Sequence, residues 1–338
     1  MLHTKIKELQ EENSKLTTTN PILNAFSLDR CKEIDEAAEN DKFIAQHRNE
    51  ILDHLKKCSV GHTSEFKQAF DIYNEIITYL FLNNIGKNRS FSVIRVPEDN
   101  KGTPDFEVNF THGETFYIEM KTLGFNDGDN NYVKATNKGL EAKVSLTEQI
   151  NSGEPIAISE VVVSPFRKEN KGYQYNHLNQ TRIIDSIINK LNEDVIKTKQ
   201  FAKGKTILLV NLSLMSMLPQ IWQLNSVPIY QEKLYKSMIS GILWYSAFGK
   251  FNERIFTTIE GEGSKNIEGE LSTEGILNKY EFVKAVCFQI EDEQGNLKLV
   301  GFYRENDKDE IYHLIYPICD FVNNDYNTHG YEILQNIV

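Results

Sequence analysis

Between Phe66 and Lys121 the apolar pattern changes period, and that change restricts the fold more than any other feature of the chain. Phe66, Ala69, Phe70, Tyr73, Ile77, Leu80 and Phe81 recur at spacings of three and four, closed by Asn83, Asn84 and Gly86, which predicts a long amphipathic helix. From residue 90 the spacing falls to two. SFSVIRV at 90–96, DFEVNF at 105–110 and TFYIEMK at 115–121 read as strands, separated by a polar turn at Gly102 and by the breaker THGE. A helix, a strand and a hairpin in that order predict an α/β class, with the apolar stripe of the helix packed on a sheet.

The rest of the chain is organised around this segment. Leu2, Leu9 and Leu16 lie seven apart, with Ile6 and Asn13 at the alternate position, the pattern of a short coiled coil with a polar register residue. Two readings stay open: a surface helix docked on its own domain, or a homodimer contact through residues 1–16. TTTNP at 17–21 breaks the pattern, and a second helical stretch runs from Phe43 to Leu55. Residues 124–153 are polar, with a short helix expected around 138–149, and EVVVSPF at 160–166 reads as a strand. A long helix is expected from about Leu178 to Phe201, its apolar face formed by Ile184, Ile187, Ile188, Leu191 and Val195. KTILLVNL at 205–212 has the continuous apolar character of a central strand. A helix near Tyr230–Phe248 and strands at 285–290 and 297–303 complete the expectation.

Composition excludes several classes. The chain has 338 residues, 40% hydrophobic, with 8 Pro and 19 Gly, unlike a collagen, a disordered tail or a disulfide scaffold. No apolar run approaches the ~18 residues of a membrane span and no signal-type block follows Met1, so a cytoplasmic protein without membrane contact is expected. Cys31, Cys58, Cys287 and Cys319 have no zinc spacing and read as reduced, mostly buried thiols. A net charge of -11 argues against coating nucleic acid nonspecifically. The charge is uneven, however: residues 167–205 hold nine basic and four acidic residues, whereas 255–338 hold sixteen acidic and six basic. Other motifs fail. AKGKT at 202–206 has Lys199 where a phosphate loop needs Gly, and DGDNNYVKATNK at 127–138 has Tyr132 and Lys138 where a calcium loop needs Gly and Glu. No H-E-x-x-H or G-x-S-x-G occurs.

The hairpin carries the chemistry. Glu119 and Lys121 stand two apart on one strand and share a face, while Ile118 and Met120 point the other way. Asp105 joins them if it pairs opposite Glu119, which a three-residue loop or a bulge at Thr111–Gly113 would allow; a slip of one residue would send it to the other face. Two carboxylates side by side repel unless Lys121 or a cation compensates, and their hard oxygens suit magnesium or manganese. Such a site is what phosphodiester hydrolysis uses.

Pro104-Asp105 followed by Glu119-Met120-Lys121 resembles the signature of the PD-(D/E)xK nucleases, including the apolar residues before Glu119. The order of helix, three strands, helix and apolar strand is similar to that family's core, over about residues 63–212 without 124–160. The resemblance implies an α/β fold of restriction-endonuclease type, a mixed sheet flanked by helices. It divides the chain into a helical N-terminal region at 1–60, a nuclease-like core at 61–250 and an acidic α+β C-terminal extension of the same domain at 251–338. It implies a metal-dependent endonuclease acting on DNA in restriction, anti-phage defence or repair. Asp105, Glu119 and the Met120 carbonyl would hold Mg2+ or Mn2+, and Lys121 would orient or deprotonate the attacking water. Glu75 is the candidate for a further helix-borne acid, although the helical wheel turns it towards solvent. Glu107 shares the face of Asp105 and could assist it. Arg182, Lys190, Lys197 and Gln200 on the long helix could reach phosphates, with a solvated face as the equal alternative. The competing functions are a catalytically silent module of the same fold that binds nucleic acid or a partner protein, and an unrelated α/β protein in which Glu119 and Lys121 merely pair.

Overall fold

A computed structural model describes the chain except for residues 17–18, 98–101, 124–131, 154, 160–179, 196–197, 215–225, 233–234, 259–264, 292–294 and 327–338. It divides into two compact units, Met1–Ile77 with Gly124–Tyr175, and Thr78–Leu123 with Asn176–Val338. The strand expected at 160–166 lies outside the described residues.

The first unit is helical: α1 (Leu2–Asn13), α2 (Pro21–Ala25), α3 (Leu28–Ala37), α4 (Lys42–Leu55), the first half of α5 (Thr63–Arg89) and, from later in the chain, α6 (Tyr132–Asn151). Leu2, Ile6, Leu9 and Asn13 are buried as α1 packs against α3 and α4. The heptad face is therefore covered by the chain's own helices, which corrects the expectation of a homodimer through residues 1–16. Asn13 does not set a coiled-coil register. Its Nδ2 donates to the Asn20 carbonyl at 3.0 Å, and its Oδ1 accepts the Asn20 N–H at 2.6 Å, tying the end of α1 to the start of α2. The Asn13→Ala variant strands buried backbone groups of Asn20 and is expected to lose about 1–3 kcal/mol of stability, read by urea unfolding.

The start of α1 lacks a side-chain cap of its own. The Asp35 carboxylate on α3 takes that role, accepting the N–H groups of Leu2 at 2.9 Å and His3 at 3.0 Å. Asn20, Ser27 and Asp41 cap α2, α3 and α4 in the same sense. On α5, Phe70 and Tyr73 join Phe26 in a buried aromatic cluster. The periodicity at 66–81 thus marks a real helix, longer at both ends than its apolar stripe.

The second unit is built on a seven-stranded mixed sheet. Its strands are β1 (Phe91–Arg95), β2 (Phe106–Phe110), β3 (Thr115–Thr122) and β4 (Thr206–Asn211), then β9 (Ala285–Glu291), β10 (Leu297–Tyr303) and β11 (Phe321–Asn324), adjacent in that order. Two separate hairpins lie between them in sequence, β5 (Ser226–Glu232) with β6 (Tyr235–Ser240), and β7 (Arg254–Thr258) with β8 (Lys265–Glu270). The helices are the second half of α5, then α7 (Gln180–Val195), α8 (Ile242–Phe248), α9 (Ile276–Lys279) and α10 (Lys308–Ile315). β1, β2 and β3 are antiparallel neighbours, and β4 runs parallel to both β3 and β9. Every residue of β4 is buried, as its unbroken apolar run implies. The acidic last third of the chain is part of this sheet, since it supplies β9, β10 and β11.

Two expectations about helices are corrected. Residues 230–248 form not one helix but the β5–β6 hairpin followed by α8, with the break at Gly241. Pro228 stands beside the register shift of that hairpin, where a missing N–H costs the ladder little. The long helix after Leu178 ends at Val195, and Thr198–Ala202 form a separate 3₁₀ turn.

The two faces of the sheet are covered differently. On one, Phe106, Val108, Phe116, Ile118, Met120, Ile207, Leu209 and Cys287 pack against Tyr79, Phe81, Leu82 and Ile85 of α5 and against Ile311, Leu314 and Ile315 of α10. On the other, the Phe248 ring of α8 meets Phe302 at 6.1 Å and Phe302 meets Phe288 at 5.9 Å, while α7 packs on α8. Over β1–β3 this second face is more open: Ser92 and Ile94 are exposed, and Glu107, Asn109, Tyr117 and Lys121 are half-buried. Cys31, Cys287 and Cys319 are buried and Cys58 half-buried, all as free thiols. No described helix is long and apolar enough to cross a membrane.

Candidate active site

Register decides whether the hairpin forms a site. Phe106 pairs with Ile118 and Glu107 with Tyr117, so the same register sets Asp105 opposite Glu119. The turn that fixes it is the three-residue connection 111–113: Phe110 N–H bonds the Glu114 carbonyl at 2.9 Å, and Gly113 takes φ +95°. That left-handed position is one a side chain with Cβ rarely adopts, so THGE sets the register through its glycine.

β2 begins only at Phe106, and the consequence is felt at Met120. Tyr117 N–H bonds the Lys205 carbonyl just before β4, and Leu123 N–H, just after β3, bonds the Asn211 carbonyl of β4, so the even-numbered residues between them direct their N–H groups towards β2. With no β2 partner left, Met120 N–H donates to Asp105 Oδ2 at 2.7 Å. The Met120 carbonyl lies on the same side of the strand as its N–H. Arg95, at the end of β1, completes the hold on Asp105: its Nη1 donates to the Asp105 carbonyl at 2.8 Å and to Oδ1 at 2.9 Å.

Glu119 is the most confined member, with its side chain 1% exposed. Its Oε1 accepts Lys121 Nζ at 2.5 Å, but its Oε2 is buried without a hydrogen-bond partner among the described residues. Burial pushes the Glu119 carboxyl up to about 7, the Asp105 charge adds to the rise, and Lys121 opposes it. Asp105 is also raised, by burial first, against the lowering effect of Arg95, the Met120 N–H and Lys121. Two carboxylates are thus held face to face, each tied to one cation. A buried oxygen without a donor is costly for a bare protein and is what an oxygen-ligated divalent cation would satisfy. Among the described residues no group of three or more His, Cys, Asp or Glu side chains is arranged to hold a metal, and the site offers two carboxylates.

The remaining expected residues fare differently. Glu107 is committed to its neighbours, accepting Asn109 Nδ2 at 3.0 Å and pairing with Tyr117, whose phenol is held above its usual range by burial and by the Glu107 charge. Glu75 belongs to the first unit and is half-buried on α5, so it is not the fully solvated residue that the helical wheel implies. Lys190 is half-buried on α7. Lys197 and the side chain of Arg182 lie outside the described residues. Gln200 is corrected in place: it sits on the 3₁₀ turn rather than on the long helix. A Cβ on Gly102 would come within 3.8 Å of its Cγ and 3.3 Å of Lys199 Cβ, so this turn packs beside the segment leading to Asp105.

Sequence reasoning missed Arg95. The signal was present, because Phe91, Val93 and Arg95 alternate onto the apolar face of β1, and a charged residue there needs a buried partner.

The chain matches no protein-family model, no curated protein and no solved structure to a significant degree.

Proposed function

We propose that this chain is a metal-dependent endonuclease of PD-(D/E)xK type that hydrolyses DNA phosphodiester bonds, in restriction, anti-phage defence or repair. The observation that carries the reading is the buried Glu119 Oε2, which lacks a donor among the described residues while Asp105 and Lys121 converge beside it. It is supported by the order α5, β1, β2, β3, α6, α7, β4 with β4 parallel to β3, which apart from the added α6 resembles the restriction-endonuclease-like core. The choice of DNA and the biological setting rest on the resemblance alone.

Asp105, Glu119 Oε2 and the Met120 carbonyl are the groups that would hold Mg2+ or Mn2+. When bound, that cation supplies a positive centre for charge building on the phosphate and makes a nearby water a better acid. The protein contributes orientation. The Met120 N–H fixes the plane of the Asp105 carboxylate, and the short Lys121–Glu119 pair keeps the ammonium at the same place as the carboxylate. From there Lys121 can donate to the attacking water or to a phosphate oxygen. The sheet face that carries these groups is partly exposed at Ser92 and Ile94.

The purified chain is expected to nick or linearise supercoiled plasmid in Mg2+ or Mn2+ and not in EDTA. The Lys121→Ala variant should be slower by roughly a hundredfold or more. A second reading, a silent module that binds nucleic acid or a partner protein, is favoured by the Arg95–Asp105 and Lys121–Glu119 pairs, which already neutralise both carboxylates. No cleavage in either metal by folded protein would select it.

A further inference from the structure

Arg95 stands where an incoming cation would have to go. Its side chain starts on the apolar face of β1, lies over the Phe106 ring with Cζ 5.8 Å from the centroid, and comes round the end of β2 to reach Asp105. We propose that Arg95 is the resident counter-ion of the Asp105–Glu119 pair and competes with the divalent cation for Asp105, so that loading the cation and releasing the guanidinium are one event. The inference rests on the cation site proposed above and concerns how that site is regulated.

The two cations of the site are not equivalent. Lys121 engages Glu119 Oε1 and leaves Oε2 without a partner, so it does not block that oxygen. At Asp105 both oxygens are in use, Oδ2 by the Met120 N–H and Oδ1 by Arg95. Two positive side chains already balance two negative ones, and a divalent ion entering beside a guanidinium 2.9 Å from Oδ1 meets like charge at short range. A lysine in this position could shed its proton to relieve that repulsion, but a guanidinium stays charged and has to move. An anion that takes the guanidinium would therefore strengthen cation binding, and phosphodiester oxygens suit its planar fork. The opposite role is equally definite: if Arg95 merely aims Asp105 at the cation, its removal weakens binding.

Mn2+ titration of the full-length chain without nucleic acid, followed by electron paramagnetic resonance, separates the two. The Arg95→Met variant is expected to bind Mn2+ about tenfold or more tightly than the parent. That gain should vanish when Asp105→Asn is added. Arg95→Lys, which keeps charge but not the fork, should fall between them, and it decides the matter if Arg95→Met fails to fold by circular dichroism. Unchanged or weaker Mn2+ binding in a folded Arg95 variant overturns the competition while leaving the cation site standing. Absence of Mn2+ binding in the parent and in every Arg95 variant instead removes the cation site and the inference with it.

Discussion

The Asp105→Asn variant is expected to cleave plasmid DNA at least roughly a hundredfold more slowly than the parent, with weakened Mn2+ binding and a stability lowered by only about 1–2 kcal/mol. The separation of function from stability follows from what each Asp105 atom does. Its backbone carbonyl still accepts Arg95 Nη1, and the asparagine Oδ1 can still accept the Met120 N–H, so the strand ends stay joined. What is lost is one of the two negative charges at the site and a second oxygen able to ligate. The Arg95 ion pair is lost as well, but a half-exposed charge pair contributes little on its own, whereas this one is largely buried and its loss costs about 1–2 kcal/mol. Plasmid assays and Mn2+ titration on the same preparation check both halves. Cleavage at the parental rate by a folded Asp105→Asn protein would remove Asp105 from the mechanism.

Glu119→Gln is expected to do something less usual and stabilise the metal-free protein at alkaline pH. Burial, which disfavours its charge, pushes the Glu119 carboxyl up to about 7 in the folded chain from its ordinary 4.5. Between those values the folded state binds the proton that the unfolded state has released, so stability falls as pH rises from about 4.5 to about 7 and stays lower above. Glutamine carries no such penalty. It keeps an oxygen for Lys121 and offers an amide donor where Oε2 now has no partner. Melting in EDTA should therefore show the variant ahead by about 1–3 kcal/mol at pH 8 and level with or behind the parent at pH 4. On the proposed reading, the cost of holding Glu119 charged is what a bound cation would offset. A parent and variant with parallel pH profiles would mean that Glu119 is solvated in solution.

The central hairpin was legible because strand chemistry is local. Alternation fixed which residues share a face, and the glycine at 113 fixed the loop length that brings Asp105 opposite Glu119. The α5 stripe and the buried β4 run were legible for the same reason, each being a periodic signal longer than its noise. Other features depend on partners that a one-dimensional pattern cannot choose. The α1 heptad has the same period whether its face meets another chain or α3 and α4, and only the fold selects the second. Residues 235–240 carry a mixed pattern that pairing with Ser226–Glu232 resolves as a strand. Gln200 was assigned to a helix that stops at Val195, which moved it from a helix flank to a turn beside Gly102. The alternation of β1 marked Arg95 as a charge on an apolar face, but its partner was not legible, because that is set by where the end of β1 meets the start of β2. The C-terminal third, read as an acidic extension, turned out to supply three strands of the main sheet, since net charge describes a surface and says nothing of the continuous buried runs in β9 and β10.

The most direct test is anomalous diffraction from a crystal of the chain soaked in Mn2+. The account predicts a Mn2+ peak liganded by Asp105, Glu119 Oε2 and the Met120 carbonyl, with Arg95 withdrawn from Oδ1. A peak elsewhere, or none at this pair of carboxylates in a crystal where Glu119 and Lys121 remain bonded as they are here, would contradict it.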